Sequence, residues 1–220
     1  DKRDANLKSE IQNLKSEQTW DLQLATWNVQ VAVVSRPVAG ATANGDAWLV
    51  REPDNRLLIA LADGLGHGEE AAVAAQEAIA YIAKCKQSSL ADIIRGCHEE
   101  LQGTRGVVLG LTLLNPKAGT LTFAGIGNIG IRLTSANPAR PISLSGIVGY
   151  TMRRVREETF PCTPGNLIVM HTDGVSERFD LDALLRQTPD LLKLAEAIVR
   201  EYGRENDDAT VIAIRVKREE

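Results

Sequence analysis

The sequence predicts an α+β fold in which antiparallel sheets are covered by helices. Three observations predict it. Strand-like runs follow one another across short turns, which suits hairpins and fits parallel β-α-β winding poorly. Two helical segments sit side by side inside the chain and one lies near its end. The chain has 220 residues, enough for one domain with a full core, or one domain and a short appendage.

Residues 1–18 are polar and charged, with Leu7, Ile11 and Leu14 on one narrow helical stripe. They read as an N-terminal helix or linker over 1–20, ahead of a domain at 21–220. Such a segment is either a fraying end, or a helix that pairs with a second copy or leads in from an upstream domain. Leu24–Val34 is rich in Val, Thr and Trp and reads as a strand, as do Ala47–Arg51 and Leu57–Ala62, split by a Pro53-Asp54-Asn55 turn. A helix follows over about Glu69–Lys84, with acids in its first turn and an Ala-rich body suited to packing on a sheet. A second helix runs over about Leu90–Gln102, capped by Ser89 and closed by Gly103. Strands are expected at Val107–Leu114, Thr120–Ala124, Gly130–Thr134, Val155–Phe160 and Leu167–Thr172. Thr188 is placed as the cap of a last helix, with Pro189 at its first position and a stripe from Leu191 to Tyr202. Ala209–Val216 is a closing strand.

The formal net charge is −4, apolar residues make up 44% and charged residues 25%. This is ordinary globular composition, and mild acidity argues against nucleic acid as a partner. Apolar runs fall far short of a membrane span, and the first stretch lacks the apolar core of a signal peptide. The chain begins at Asp1, consistent with a piece of a longer protein. Cys85, Cys97 and Cys162 form no C-x-x-C pair, so reduced, buried thiols and a cytoplasmic location are expected.

The chemistry concentrates on acids where strands stop. Asp46 follows Asn44-Gly45, Asp63 ends an apolar run and precedes Gly64, Asp173 does the same before Gly174, and Asp207-Asp208 precede the last strand. An Asp at the end of an apolar strand is costly unless its charge is satisfied. A turn hydrogen bond would satisfy any one of them. Several together suggest a cluster of hard oxygen ligands, suited to Mg²⁺ or Mn²⁺ rather than zinc.

Asn44-Gly45-Asp46, Ala62-Asp63-Gly64-Leu65-Gly66-His67-Gly68, His171-Thr172-Asp173-Gly174-Val175 and Asp207-Asp208-Ala209-Thr210-Val211 occur in the order seen in PPM-type (type 2C) protein phosphatases. They resemble the SpoIIE-type branch most, and its compact RsbX-like members. The resemblance spans about Leu24 to Val216. It implies an αββα sandwich of two antiparallel sheets flanked by helices, with two Mn²⁺ or Mg²⁺ ions at one end. It implies metal ligation by Asp46, Asp63, the Gly64 carbonyl, Asp173 and Asp207, with Asp63 bridging, Asp208 the alternative to Asp207, and Asp46, Asp63 and Asp173 as the catalytic set. Two adjacent cations would lower the pKa of a shared water and neutralise phosphoryl oxygens during in-line attack. The activity implied is serine/threonine dephosphorylation of a STAS-domain regulatory protein, of anti-anti-sigma or stressosome type, in bacterial stress or sporulation signalling. A catalytically silent partner-binding module of the same fold would show lost acidic positions. A small-molecule phosphomonoesterase would not distinguish free phosphoserine from phosphoprotein.

Better-known eukaryotic members carry a His two residues after the bridging Asp, where this chain has Leu65, so His67 is the local candidate for a proton donor, or a structural residue at the helix start. His171 is expected to be packed and His98 surface-facing. Gly125-Ile126-Gly127-Asn128-Ile129-Gly130 fits G-x-G-x-x-G, but a strand-like run follows where a dinucleotide site needs a helix. The family has a Gly-Asn turn here, expected to approach the site. Gly146–Arg154 reads either as a flap meeting a phosphorylated partner or as a solvated loop.

Overall fold

The computed structural model describes residues 10–12, 17–87, 89–134 and 141–218. Along the chain come β1 (Glu10–Gln12), β2 (Glu17–Leu24), β3 (Trp27–Arg36), β4 (Asp46–Arg51), β5 (Leu57–Gly64), α1 (Glu69–Lys84), α2 (Leu90–Glu100), β6 (Val107–Asn115), β7 (Thr120–Ile126), β8 (Gly130–Thr134), β9 (Glu158–Pro161), β10 (Leu167–His171), α3 (Leu181–Gln187), α4 (Leu191–Tyr202) and β11 (Ala209–Arg218). One sheet has the order β1-β4-β5-β6-β7-β9 and the other β2-β3-β11-β10-β8. The pairings between these strands are antiparallel throughout.

Side-chain alternation along each strand builds the layers. In β5, Leu57, Ile59 and Leu61 face the other sheet, while Leu58, Ala60 and Ala62 face α1 and α2. In β11, Ile212, Ile214 and Val216 enter the inter-sheet core, while Val211 and Ala213 meet α4. Strands covered on both faces carry no polar alternation, so these runs read as continuously apolar. The result is a helix–sheet–sheet–helix sandwich. Among the described residues no helix is long and apolar enough to cross a membrane.

The chain departs from expectation at four places. Residues 10–12 are a strand paired with β4, and 17–20 begin β2, which pairs with β3. The helix or linker expected over 1–20 is therefore absent where it can be checked. Residues 1–9 and 13–16, and with them Leu7 and Leu14, lie outside the described residues. The β2 pattern is a clean alternation, with Trp20 and Leu22 half-buried and Thr19, Asp21 and Gln23 exposed. The strand expected over Leu24–Val34 is broken by a tight turn in which Ala25 takes a positive φ of 51°, with no Gly or Asn to announce it. The strand expected over Val155–Phe160 shrinks to β9. Finally, α3 is a short helix the pattern did not reveal, and Thr188 ends it instead of capping α4. Asp190 is the α4 cap, accepting from the Lys193 amide at 2.9 Å.

Trp20 on β2 lies 5.4 Å from Trp48, ring centroid to centroid, and packs on the inter-sheet core. Trp20→Ala should lower unfolding free energy by about 2 kcal/mol, read by chemical denaturation. A passive leader would leave it unchanged.

Candidate metal centre

The same alternation that builds the core also builds the site. The core-facing rows are Val29, Val31 and Val33 in β3, Trp48 and Val50 in β4, Leu57, Ile59 and Leu61 in β5, Ile168 and Met170 in β10, and Ile212 and Ile214 in β11. One step further on each row stand Ser35, Asp46, Asp63, Thr172 and Thr210, in that order. At this end of the sandwich the inward positions thus change from apolar to polar on both sheets. Asp46 and Asp63 are directly paired neighbours across β4 and β5. Asp173 sits in the turn after β10, and Asp207 and Asp208 lead into β11.

The two Asp-Gly steps owe their glycines to close approach rather than to a left-handed turn. A Cβ on Gly64 would lie 2.0 Å from the Ala71 carbonyl oxygen of α1, and one on Gly174 would lie 1.7 Å from the Asp208 carbonyl oxygen. These contacts draw α1 onto the end of β5 and bring the Asp173 turn against the Asp207-Asp208 segment.

Neighbouring residues set each acid. Asp208 is buried; its Oδ1 accepts from the Val38 amide at 2.8 Å and its Oδ2 from the Gly45 amide at 2.9 Å. Asp207 is half-buried, and its Oδ1 accepts from the Asp208 amide at 3.0 Å. The Arg36 guanidinium fixes that loop by donating to the Arg204 carbonyl at 2.8 Å and the Asp207 carbonyl at 3.2 Å. Asn128 Nδ2 donates to Asp173 Oδ2 at 2.6 Å, so the Gly127-Asn128 turn does reach the acids, and no helix follows it.

The cluster is electrostatically strained. Burial raises the Asp63 carboxyl far above the usual carboxylate range, and repulsion from Asp46, Asp173 and Asp207 adds to it, while Asp63 shares a hydrogen bond with the Asp173 side chain. Burial also raises Asp46, and Asp208 and Asp207 add to it, against hydrogen bonds from Thr210 and Thr172 that favour the charged form. Asp207 is raised as well, burial first and Asp173 next. Among the described residues no three acid, imidazole or thiol groups already converge as a finished coordination shell. The donor set nonetheless fits a hard divalent cation: it is all oxygen, it is drawn from both sheets, and the mutual repulsion is what a cation relieves.

His67 is not among these groups. It lies exposed in the turn before α1. His171 is buried as expected, its Nδ1 2.9 Å from the Thr172 carbonyl oxygen and its ring edge-on to Phe179. His98 departs from expectation: it is half-buried, and its Nδ1 accepts from the Gly149 amide at 2.9 Å. That bond helps pin the 146–157 segment as a strap along α2. Val148 exchanges backbone hydrogen bonds with Val107, and Glu157 Oε1 accepts from Ser89 Oγ and the Ala91 amide, each at 2.7 Å. Arg153 and Arg154 are exposed on the strap.

Two antiparallel sheets between helix layers, with acids gathered at one end, define the PPM-type (type 2C) phosphatase fold. Residues 53–217 match SpoIIE, the stage II sporulation protein E family, and the chain belongs to that family. A solved chain from the bacterial stressosome, a modular system adapted to control secondary messenger signalling, is 35% identical with a TM-score of 0.81, over 85% of this chain and 99% of that one. RsbX crystallised with magnesium is 21% identical with a TM-score of 0.79, over 91% of this chain and all of that one. The phosphoserine phosphatase RsbX of Bacillus subtilis (strain 168) is 22% identical over 187 residues, 84% of this chain and 94% of its own length.

The strained carboxyls set a pH trend. Asp46 and Asp63 hold protons more tightly folded than unfolded, so the metal-free native state carries more protons. Its stability should therefore fall as pH rises above the ordinary carboxylate value of about 4. Thermal unfolding in chelator at about pH 5.5 and about pH 8.5 checks the sign. At the higher pH, Asp63→Asn should raise the metal-free midpoint by a few degrees and remove the stabilisation that Mn²⁺ gives the unaltered chain.

Proposed function

We propose that this chain is a metal-dependent protein serine/threonine phosphatase that acts in the cytoplasm on a phosphorylated STAS-domain regulator in bacterial stress signalling. The carrying observation is the meeting of Asp46 and Asp63 from one sheet with Asp173 and Asp207 from the other. Asp46, Asp63 and the Gly64 carbonyl would hold one cation, and Asp63, Asp173 and Asp207 the other. Asp207 is favoured over Asp208 because both Asp208 oxygens already hold main-chain amides. Bound there, Mg²⁺ or Mn²⁺ supplies an activated water and neutralises the phosphoryl oxygens.

The chain's own groups do the holding. Asn128 keeps Asp173 turned toward the cluster, and Arg36 keeps the Asp207 loop against β3. A thiol nucleophile is disfavoured: all three cysteines are buried, and burial pushes the Cys97 thiol up to about 12 and Cys162 to about 11. The rim suits a protein substrate better than a free metabolite. Leu65, directly after Gly64, is 45% exposed and Tyr150 is 74% exposed, both flanking Gly106, whose carbonyl accepts from the Leu65 amide at 3.1 Å. Exposed apolar and aromatic side chains beside a site are typical anchors for a macromolecular partner.

With Mn²⁺ the chain should hydrolyse a phosphoserine peptide and p-nitrophenyl phosphate, and a chelator should abolish both. Asp63→Asn and Asp173→Asn should each cut kcat by roughly 100-fold or more while circular dichroism stays unchanged. Chelator-resistant turnover by the unaltered chain would exclude the two-metal reading. His67→Ala should reduce turnover of phosphoserine and of the aryl phosphate alike, if at all. A loss confined to phosphoserine, the poorer leaving group, would make His67 the general acid.

A further inference from the structure

Behind Asp46 lies a set of buried hydroxyls that are not among the expected metal ligands. Thr172 and Thr210 are fully buried and Ser35 nearly so. Thr172 Oγ1 accepts from the Thr210 amide at 3.1 Å, so its proton is free to go to Asp46 Oδ2, 2.9 Å away. The Thr210 hydroxyl also hydrogen-bonds the Asp46 carboxylate. Ser35 Oγ is 2.7 Å from Thr210 Oγ1 and accepts from Asn44 Nδ2 at 2.8 Å. The Asn44 amide is fixed from its other end, because its Oδ1 accepts from the Asp46 amide at 3.0 Å.

Each hydroxyl has one proton to donate, so the donors can be traced. With Thr210 donating to Asp46, Ser35 must donate to Thr210, and Asn44 donates to Ser35. The chain therefore runs in one direction, from Asn44 through Ser35 and Thr210 to Asp46, with Thr172, just after β10, as a second donor. Both branches end on the Asp46 carboxylate.

We propose that Ser35, Thr172 and Thr210 are positioning residues that hold Asp46 as a ready cation ligand. The proposal rests on the metal-centre reading above and adds residues from β3, β11 and the residue that follows β10 to it. The hydroxyls touch neither substrate nor the reacting atoms; they fix one ligand's orientation through hydrogen bonds from outside the coordination shell. Without them Asp46 keeps its place in β4 but loses the donors that set its carboxylate.

The test is Mn²⁺ binding to the full chain by isothermal titration calorimetry at one fixed pH. Thr172→Val and Thr210→Val keep shape and remove the hydroxyl, and each should weaken Mn²⁺ affinity by roughly 10- to 100-fold. Thr172→Ser and Thr210→Ser should bind within about threefold of the unaltered chain. Ser35→Ala, one bond further away, tests the chain even if a Val variant unfolds. It should weaken affinity alone but add nothing to Thr210→Val, a non-additivity that a merely local packing role would not produce. Unchanged affinity in the folded Val variants, or Val and Ser variants that bind alike, would overturn the positioning role while leaving the metal centre standing. An unaltered chain that takes up no Mn²⁺ would overturn both.

Discussion

β4 and β5 end in register, and this puts Asp46 directly beside Asp63 with both side chains on the inward row. Like charges directly opposite on adjacent antiparallel strands are destabilising, and here Asp46 is buried and Asp63 half-buried as well. The rest of this end of the molecule is arranged around that pair. Asp173 and Asp207 come from the other sheet and enlarge the repulsion, while the hydroxyls of Thr172 and Thr210 favour the charged form of Asp46. The outcome is a site with a built-in demand for positive charge, carried by a sandwich with three buried apolar clusters. Local strain of this kind persists only where the surrounding structure over-determines it.

The over-determination is steric as much as hydrogen-bonded. Gly64 and Gly174 are sites where another backbone passes too close for any side chain. Each ties an acid-bearing strand end to a second element, β5 to α1 and the β10 turn to the start of β11. Moving either acid away from the cluster would require an element to move with it. The small residues of α1, Ala71, Ala74, Ala75 and Ala78, serve the same purpose by letting the helix sit low on the sheet.

The sequence made the layered architecture and the acidic strand ends legible, because both leave local marks. Continuous apolar strands such as β5 and β11 advertise burial on two faces, and Asp-Gly after such a run stands out. Three things were harder to see. The first residues have helical spacing at Leu7, Ile11 and Leu14, yet Ile11 pairs with Val50 in a sheet; sheet-edge pairing overrides a weak, three-residue stripe. The period-two run through Trp20 and Leu22 was the countervailing signal. The Ala25 turn and α3 lack the residue types that mark turns and helices. The Gly127-Asn128 turn was legible as an approach to the site, whereas Ser35 looks like an ordinary strand residue and Thr172 and Thr210 sit in the acidic motifs without marking themselves as partners of Asp46; that role emerges only when strand parity and register are combined across both sheets. Arg36 is similar: its role is to hold carbonyls 168 and 171 residues away.

The Asp207-Asp208 doublet shows why residue type alone could not divide the labour between neighbours. Asp208 continues the inward row of Ile212 and Thr210, and its two oxygens close on the amides of Val38 and Gly45. A buried carboxylate satisfied by two main-chain amides is stabilised where it is; turning it toward a cation would leave both amides unpaired, at roughly 1–3 kcal/mol each. Asp207 bears no such obligation through both oxygens: among the described residues its Oδ1 caps the next amide, and it stands close enough to Asp173 for that charge to add to the burial that raises its carboxyl. Asp208 also fixes Gly45, and Gly45 is the residue before Asp46. One acid of the doublet thus anchors the loop that delivers a carboxylate from the opposite sheet, while the other remains available to the cluster itself.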